Sequence, residues 1–462
     1  MGVAVSSWQL ANAVARTGNL GVVSGSMLDT VLVRRLQDGD PQGDIRRALL
    51  HFPVQSAADD LLCRFFNPGG REPGQPYRLL SMYKQHSRPA RQRVTVLANF
   101  VEVWLAKEGH DGLVGINLLT KVQMPNLASL YGAMMAGVDY VVMGAGIPRE
   151  IPAVLDAYVD HHPARLRFDI EGLDAGDVEY LDFDPAAYWP SPDRALVRPQ
   201  FLAVVSAASL AMTLARKANG RVDGFVVEGP TAGGHNAPPR GELKLNERGE
   251  PLYGERDIVD LAKMREIGRP FWLAGGVGSP VGLRDALAAG AAGIQVGTLF
   301  AFATESGLTP EIRRQVIEAS RNGTISVFTD PNASPTGFPF KVVEIDGHRA
   351  TNARRERVCD LGYLRVAYRT KDRHTVYRCP AEPVQTFVAA GGSPTDTEAR
   401  QCLCNGLTAN IGQGQIRDTG VEPPLITSGD DLTTLPTFLH GRREYTARDV
   451  IDYLLDESSA EA

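Results

Sequence analysis

The chain has 462 residues, of which 43% are hydrophobic and 22% charged, with 47 glycines and 30 prolines. This composition is typical of a loop-rich globular protein and excludes a fibrous or largely disordered chain. The net charge of −6 gives no reason to expect nucleic acid or an anionic membrane as the main partner. There is no apolar run of about 18 residues or more, and the first residues lack the pattern of a secretory signal, so we expect a cytoplasmic protein.

Short apolar runs bounded by glycine alternate with helix-length amphipathic segments. This alternation is typical of a parallel sheet buried on both faces. Seven runs predict strands: residues 20–23, 113–119, 140–143, 201–205, 224–227, 271–274 and 293–296. The predicted helices are residues 8–16, 44–64, 94–107, 126–136, 150–159, 207–218, 257–267, 281–289 and 310–321. With an eighth strand from residues 2–5, the pattern predicts an α/β fold, a (β/α)₈ TIM barrel.

Two stretches interrupt the alternation. Residues 165–198 are rich in Asp, Tyr, Trp and Pro, which predicts an inserted hairpin or cap. Residues 341–462 follow the last barrel helix and predict a C-terminal appendage that packs against the barrel or a neighbouring subunit. The expected domains are therefore a barrel over residues 1–340 and an extension over residues 341–462.

The residues that can do chemistry follow the ends of three predicted strands, where barrel enzymes keep their active sites. The three segments are residues 228–236 (EGPTAGGHN), 274–278 (AGGVG) and 295–298 (QVGT). Paired glycines let the backbone approach a ligand closely and point N–H groups at anionic oxygens. One Gly-Gly pair alone usually marks a tight turn, but three such loops at successive strand ends favour a phosphate site.

A histidine in the first of these loops supplies a candidate base. An imidazole titrates near neutral pH, so His235 suits proton abstraction. The alternative is a surface histidine in a proline-rich loop. The remaining histidines have no comparable context and are interpreted as structural: His51, His86, His110, His161, His162, His348, His374 and His440.

These three loops, and the Ala-Gly-Gly-His sequence above all, resemble the nitronate monooxygenase (2-nitropropane dioxygenase) family over roughly the first 340 residues. Its relatives include the FMN-dependent enoyl reductases of fatty-acid and polyunsaturated fatty-acid synthases. The resemblance implies an FMN-binding barrel in which His235 takes the α-proton of a nitroalkane or lies near an enoyl substrate. The cofactor-binding residues that it implies are Gly2, Val3, Ala4, Asn117, Glu228, Gly233, Gly234, Gly275, Gly276, Gln295, Gly297 and Thr298.

The chain departs from the family pattern in three places. Met1-Gly2 stands near the end of the family's first strand, and Thr231 occupies a position where the family has glutamate. Beyond Phe340 the simple nitronate monooxygenases offer no match, whereas longer enoyl-reductase-like relatives carry extra segments.

The C-terminal region contains four of the five cysteines. Cys379, Cys402 and Cys404 could hold zinc or an iron–sulfur centre if Cys359 or His374 completed the set. Buried or reactive free thiols are the favoured alternative, so the sequence assigns no metal. The sparse, odd number of cysteines does not suggest a disulfide framework.

Two enzyme functions and one non-enzymatic role are considered for these observations. The first is an FMN-dependent oxidation of alkyl nitronates or a related carbon acid by O₂. The second is an NAD(P)H-dependent reduction of an enoyl thioester, with an acyl carrier protein as partner. A non-enzymatic scaffold in a larger synthase would require a lost flavin site, and the intact glycines argue against it. We expect a small-molecule substrate and leave the choice between monomer and homo-oligomer open.

Overall fold

The computed structural model describes residues 2–349 and 355–456. Its centre is a parallel sheet of seven strands, in which each strand pairs with the next along the chain. The strands are β1 Gly21–Ser24, β2 Val114–Leu119, β3 Tyr140–Gly144, β4 Gln200–Val205, β5 Gly224–Glu228, β6 Phe271–Ala274 and β7 Gly293–Gln295. All seven predicted strands are confirmed, in barrel order. The fold is therefore α/β, of the (β/α)-barrel type.

Helices alternate with the strands and cover the sheet, and the first helix precedes β1. They are Trp8–Ala15, Leu28–Gln37, Asp44–Leu49, Gln55–Phe65, Pro89–Lys107, Asn126–Met135, Ile151–Val159, Ala208–Lys217, Leu261–Glu266, Pro280–Ala288, Thr298–Ala301 and Pro310–Arg321. The predicted helix over residues 44–64 is wrong as one element, because Pro53 has no N–H and separates two helices. The helix Leu28–Gln37 was not predicted.

The eighth strand expected from residues 2–5 is also wrong. These residues form a turn in which Ala4 has a φ of +45°, a left-handed conformation incompatible with an extended strand. The segment nevertheless links the two edges of the sheet. At the end of β1, the Ser24 N–H donates to Ser6 O (2.9 Å), and in the segment after β7, the Gly307 N–H donates to Val5 O (2.8 Å).

The insertion forms a hairpin, as predicted. Its strands Ala164–Phe168 and Glu179–Phe183 are antiparallel, and a short 3₁₀ helix, Pro185–Ala187, follows. Phe183 stacks on Tyr188 with ring centroids 4.6 Å apart. Phe183 also packs against Tyr131 of the barrel helix Asn126–Met135, with ring centroids 5.6 Å apart, so an aromatic cluster in the main core fixes the hairpin to the barrel.

The region after the barrel consists of short elements. Its strands are Ile325–Asp330, Phe340–Ile345, His348–Arg349, Val366–Arg369, Thr375–Arg378, Ile416–Arg417 and Gly420–Val421, and its helices Val384–Ala389, Leu403–Ala409, Leu435–Leu439 and Ala447–Leu454. Parts of it contact the barrel mouth, because Tyr363, Leu403 and Cys404 line a cavity together with barrel residues. The division at residue 340 stays a prediction.

A buried ionic cluster also joins this region to the barrel. Asp29 and Arg91 form an ion pair of 2.6 Å, with side chains 2% and 6% exposed. The Tyr363 hydroxyl donates a hydrogen bond to Asp29, and the Thr95 hydroxyl donates another (2.9 Å). The charges are thus paired and hydrogen-bonded, as buried charges must be. None of the described helices combines the length and apolar character needed to cross a membrane.

Candidate active site

A cavity lies at the mouth of the barrel, where the carboxyl ends of the strands meet. Asn117 on β2, Glu228 at the end of β5 and Gln295 at the end of β7 all line it. Of these strands, β2 and β7 lie near opposite edges of the sheet. Because their ends line one cavity, the sheet curls around it. The region after the barrel supplies the opposite wall, formed by Phe340, Tyr363, Leu364, Leu403, Cys404, Leu407 and Thr427.

The fold brings eight of the predicted site residues to this cavity: Gly2, Val3, Asn117, Glu228, Gly233, Gly234, His235 and Gln295. The other five lie outside it. Ala4 is fully buried within the N-terminal turn. Gly275, Gly276, Gly297 and Thr298 lie in the neighbouring loops that follow β6 and β7.

These neighbouring loops have the properties of a phosphate cradle. Gly275 and Gly276 have φ values of +90° and +69°, which favour glycine. A Cβ on Gly275 would lie 2.8 Å from the Ala232 nitrogen, so no side chain fits there. Gly276 and Gly297 are exposed, and within the described residues their N–H groups donate to no protein acceptor. Free N–H groups on glycine loops fit the phosphate of FMN.

Thr298 differs from this picture, because its side chain is already engaged. Its hydroxyl donates a hydrogen bond to Asp431 and accepts one from the Gly429 N–H (3.2 Å). The loop that carries Gly429 and Asp431 also covers Gly233 and Gly234, since the Thr427 hydroxyl accepts a hydrogen bond from the Gly234 N–H (3.0 Å). A carboxylate therefore lies beside the cradle. Burial raises the pKa of Asp431, which indicates an unfavourable place for its charge.

Asp431→Asn is expected to strengthen FMN binding. Asparagine keeps an acceptor for Thr298 but removes a negative charge that would repel a phosphate bound at the glycine loops. The gain should be about 1 kcal/mol, or roughly a fivefold lower Kd, measured by fluorescence titration of apoprotein with FMN. Asp452→Asn, an exposed change in the last helix, should leave the Kd unchanged. Equal or weaker binding by Asp431→Asn would show that the phosphate does not lie near this carboxylate.

His235 is held by the segment that follows the barrel. Its Nε2 lies 2.7 Å from Ser334 Oγ, and its ring packs edge-on against Phe340 at 4.9 Å. Burial, with a smaller contribution from the Lys121 charge, lowers the pKa of His235 to about 3. The imidazole is therefore neutral at physiological pH, and its Nδ1 has no hydrogen-bond partner among the residues described.

Glu228 has the opposite shift. Its side chain faces the cavity, away from bulk water, and this burial raises its pKa to about 7. The cavity thus combines a neutral imidazole with a carboxyl group that exchanges its proton near neutral pH. Such paired shifts in a cleft are typical of catalytic sites.

Glu228→Gln is expected to remove a pH dependence of stability. A carboxyl whose pKa rises on folding, from 4.5 to about 7, stabilises the fold below the unfolded pKa and loses that contribution as pH rises through 7. The variant should match wild type near pH 5 and exceed it by about 1–3 kcal/mol near pH 8, measured by urea unfolding at both values. Glu247→Gln, an exposed change, should show no such difference. An equal effect of both variants would contradict the shift.

Sequence reasoning missed most of the wall supplied by the C-terminal region. Residues 334–340 (SPTGFPF) are rich in turn-forming residues, and the sequence does not decide whether they line the substrate mouth or merely connect two elements. Ser334 and Phe340 both contact His235. The Asp430–Asp431 pair carried no sequence signal, because its role depends on a contact with a loop about 130 residues away.

The class defined by these observations is a (β/α)-barrel protein with a glycine cradle beside a half-open cavity. Residues 190–333 match the family model described as nitronate monooxygenase. The chain is also 31% identical over 124 residues to a "Probable nitronate monooxygenase" of Staphylococcus haemolyticus strain JCSC1435, covering 27% of this chain and 33% of that protein. The resemblance seen in the sequence is confirmed for this segment, and the match spans about a third of the curated relative.

Solved structures with similar architecture were also found. One is FabK from Thermotoga maritima, with 15% identity and a TM-score of 0.48, over 99% of this chain and 90% of that one. Another is a nitroalkane oxidase from Streptomyces ansochromogenes, with 15% identity and a TM-score of 0.46, over 100% and 96%.

Proposed function

We propose that the chain is an FMN-dependent oxidoreductase that oxidises alkyl nitronates or a related carbon acid with O₂ in the barrel-mouth cavity. The observation that carries this proposal is the convergence of Asn117, Glu228, His235 and Gln295 on one cavity beside the open glycine loops. When bound, FMN would supply the electron chemistry and the reactivity with oxygen.

The protein's own contribution is binding, orientation and proton transfer. Gly276 and Gly297 would hold the phosphate with their N–H groups, and Asn117 and Gln295 would orient the ring with side-chain amides. The cavity wall is largely apolar where Leu119, Val122 and other leucines line it. Such a wall suits a small organic carbon acid and excludes water from the reacting centre.

His235 would take the proton from the carbon next to the nitro group. In the tautomer in which the Nε2–H donates to Ser334 Oγ, Nδ1 is the unprotonated ring nitrogen and can accept the proton. The pKa of His235 is low in the free cavity because burial and the Lys121 charge disfavour the imidazolium. Negative charge that develops on the substrate would stabilise the imidazolium and raise that pKa, so the base becomes effective when substrate is present.

A second candidate is an NAD(P)H-dependent enoyl reductase that acts on an acyl thioester, with an acyl carrier protein as partner. The observation that favours it is Glu228, whose pKa of about 7 keeps a proton available near neutral pH. Reduction of an alkene requires such a donor to complete the product. Oxidation of a preformed nitronate requires none.

Anaerobic titration of the FMN-loaded protein distinguishes these functions. Bleaching of the flavin absorbance by propyl nitronate, and restoration by O₂, is the expected result. Bleaching only by NADH or NADPH, with reoxidation by an enoyl thioester, would establish the second function instead. Protein that binds no FMN even at high concentrations of added cofactor would contradict both.

A further inference from the structure

Two hydroxyl groups in series lead away from the imidazole of His235. Its Nε2 lies 2.7 Å from Ser334 Oγ, and Ser334 Oγ lies 2.8 Å from Thr336 Oγ1. Both are ordinary hydrogen-bond distances. A hydroxyl group can accept one proton while it donates another, so the three groups form a chain along which a proton can move.

This chain leads from the interior towards solvent. Ser334 has no exposed surface, whereas Thr336 is half-buried and the next residue, Gly337, is exposed. Among the residues that the structure describes, Ser334 is the only hydrogen-bond partner of the His235 Nε2. A proton that leaves Nε2 along a hydrogen bond therefore passes to Ser334, and Thr336 forms the outer end of the path.

The donors around Ser334 set the direction of the chain. The Thr336 N–H donates to Ser334 Oγ (3.2 Å), and the His235 Nε2–H donates to the same oxygen in the tautomer that leaves Nδ1 free. These bonds use both lone pairs of that oxygen, so its hydroxyl hydrogen points to Thr336 Oγ1. Within the described part of the chain, the Thr336 hydroxyl hydrogen then has no protein acceptor and is available to water.

The backbone that carries both hydroxyls is held by two cations. Arg400 Nη1 donates to Ser334 O (2.7 Å). Lys121 Nζ donates to Thr336 O (3.2 Å) and lies 3.2 Å from the centre of the Phe338 ring. The two hydroxyls are thus fixed at short distances before any substrate binds, which favours transfer between them.

A turn alone does not require the second hydroxyl. Serine side chains accept hydrogen bonds from N–H groups two residues ahead in many turns, and Ser334 does so with the Thr336 N–H. That contact would remain with any side chain at position 336. The Thr336 Oγ1 accepts only a long contact from the Phe338 N–H (3.5 Å), so its main partner is the Ser334 hydroxyl.

We propose that Ser334 and Thr336 form a proton relay through which His235 exchanges protons with solvent. When Nδ1 takes the α-proton of a carbon acid, the C–H bond breaks and an N–H bond forms. Nε2 then gives its proton to Ser334 Oγ, Ser334 gives its own proton to Thr336 Oγ1, and Thr336 releases one to water. One proton leaves for each proton abstracted, and the imidazole returns to its uncharged form.

The same path returns His235 to its starting tautomer. After the transfer the ring proton lies on Nδ1, which must be free for the next substrate. When product leaves, Nδ1 loses this proton to water in the cavity, and Nε2 takes one back from solvent through Thr336 and Ser334. This exchange changes neither the charge of the ring nor the number of its protons. Each ring nitrogen therefore has its own route to water.

The catalytic use of the relay rests on the proposed function and narrows its substrate class. A path that carries a proton away serves a substrate that arrives protonated at carbon. A preformed nitronate has no α-proton to give. The relay therefore favours a neutral carbon acid, such as a nitroalkane, as the substrate. The path itself does not depend on the function, because its contacts are present without substrate.

Solvent exchange of the ring hydrogen tests the path without any substrate. NMR of the full-length protein with isotope-labelled histidine observes the Nε2–H of His235, whose signal is identified by its absence from His235→Gln. Thr336→Val should slow its exchange with water by about tenfold, the effect of one lost hydrogen bond on a rate. Valine keeps the branched shape and the N–H that donates to Ser334. Thr336→Ser, which keeps a hydroxyl, should exchange at the wild-type rate.

A matched control changes a threonine elsewhere. Thr437→Val alters an exposed residue in the helix Leu435–Leu439 and should leave the exchange rate unchanged. Equal exchange in wild type and Thr336→Val would overturn the relay. Equal slowing in Thr336→Ser and Thr336→Val would also overturn it, because the effect would then come from the shape of the side chain and not from its hydroxyl.

The catalytic use of the path is measured separately, as steady-state turnover of a nitroalkane by the FMN-loaded protein. Thr336→Val should lower the turnover rate by about tenfold, and Thr336→Ser should restore it. Unchanged turnover in Thr336→Val, with slowed exchange, would show that the path exists but does not serve the reaction. Wild-type protein that oxidises neither nitroalkane nor nitronate would refute the proposed function, and the exchange measurement would still decide whether the path exists.

Discussion

His235→Gln is expected to slow substrate-dependent reduction of the flavin by about 10²- to 10⁴-fold, the usual contribution of a general base. Glutamine can place a polar atom near the position of Nε2 and so preserve the contact with Ser334. It offers no basic nitrogen at the position of Nδ1. The loss should therefore appear in the rate of reduction, measured by anaerobic stopped-flow absorbance with a nitroalkane, while the Kd for FMN changes little.

Two comparisons separate proton transfer from simple disturbance of the cavity. His162→Gln changes an exposed histidine beyond the helix Ile151–Val159 and should have no effect. With propyl nitronate, which has already lost its α-proton, His235→Gln should recover most of the wild-type rate. A variant equally slow with nitroalkane and nitronate would show that His235 positions the substrate and does not act as its base.

The loops that carry these groups could be predicted because their signals are local. Apolar runs ending in Glu228, Ala274 and Gln295 predict strands, and the glycines that follow predict sharp turns at one edge of the sheet. Strand order then follows from chain order, since sequential strands of a (β/α) barrel are neighbours. The strand ends that form the barrel face of the cavity are therefore predictable from the sequence.

What could not be predicted depends on contacts between distant segments. Tyr363 reaches Asp29 across more than 300 residues, and Asp431 reaches Thr298 across 133. Neither pair has a periodicity or a motif. In the sequence, Cys359 is one of two residues that could complete a metal set, and no spacing rule favours it over His374. Only the folded chain shows which side chains share a cavity.

The buried contact between Asp29 and the C-terminal region has a large expected effect on stability. Asp29→Ala should lower the free energy of unfolding by about 3–5 kcal/mol, because it leaves the Arg91 guanidinium buried without a counter-charge. Tyr363 would also lose the acceptor that fixes it in the cavity wall. Urea unfolding followed by circular dichroism measures the loss.

Removing both charges distinguishes this mechanism from the loss of packing. Because much of the cost comes from the unpaired cation, Asp29→Ala with Arg91→Met should be less destabilising than Asp29→Ala alone. Burial alone would raise the pKa of Asp29, but Arg91 and the surrounding hydrogen bonds hold it below its ordinary value. The ion pair therefore stabilises the wild type above the unfolded pKa of about 4, and its contribution should disappear as the pH falls below that value. A double variant as unstable as the single one would place the cost in lost packing around the helix Leu28–Gln37 rather than in the buried charge.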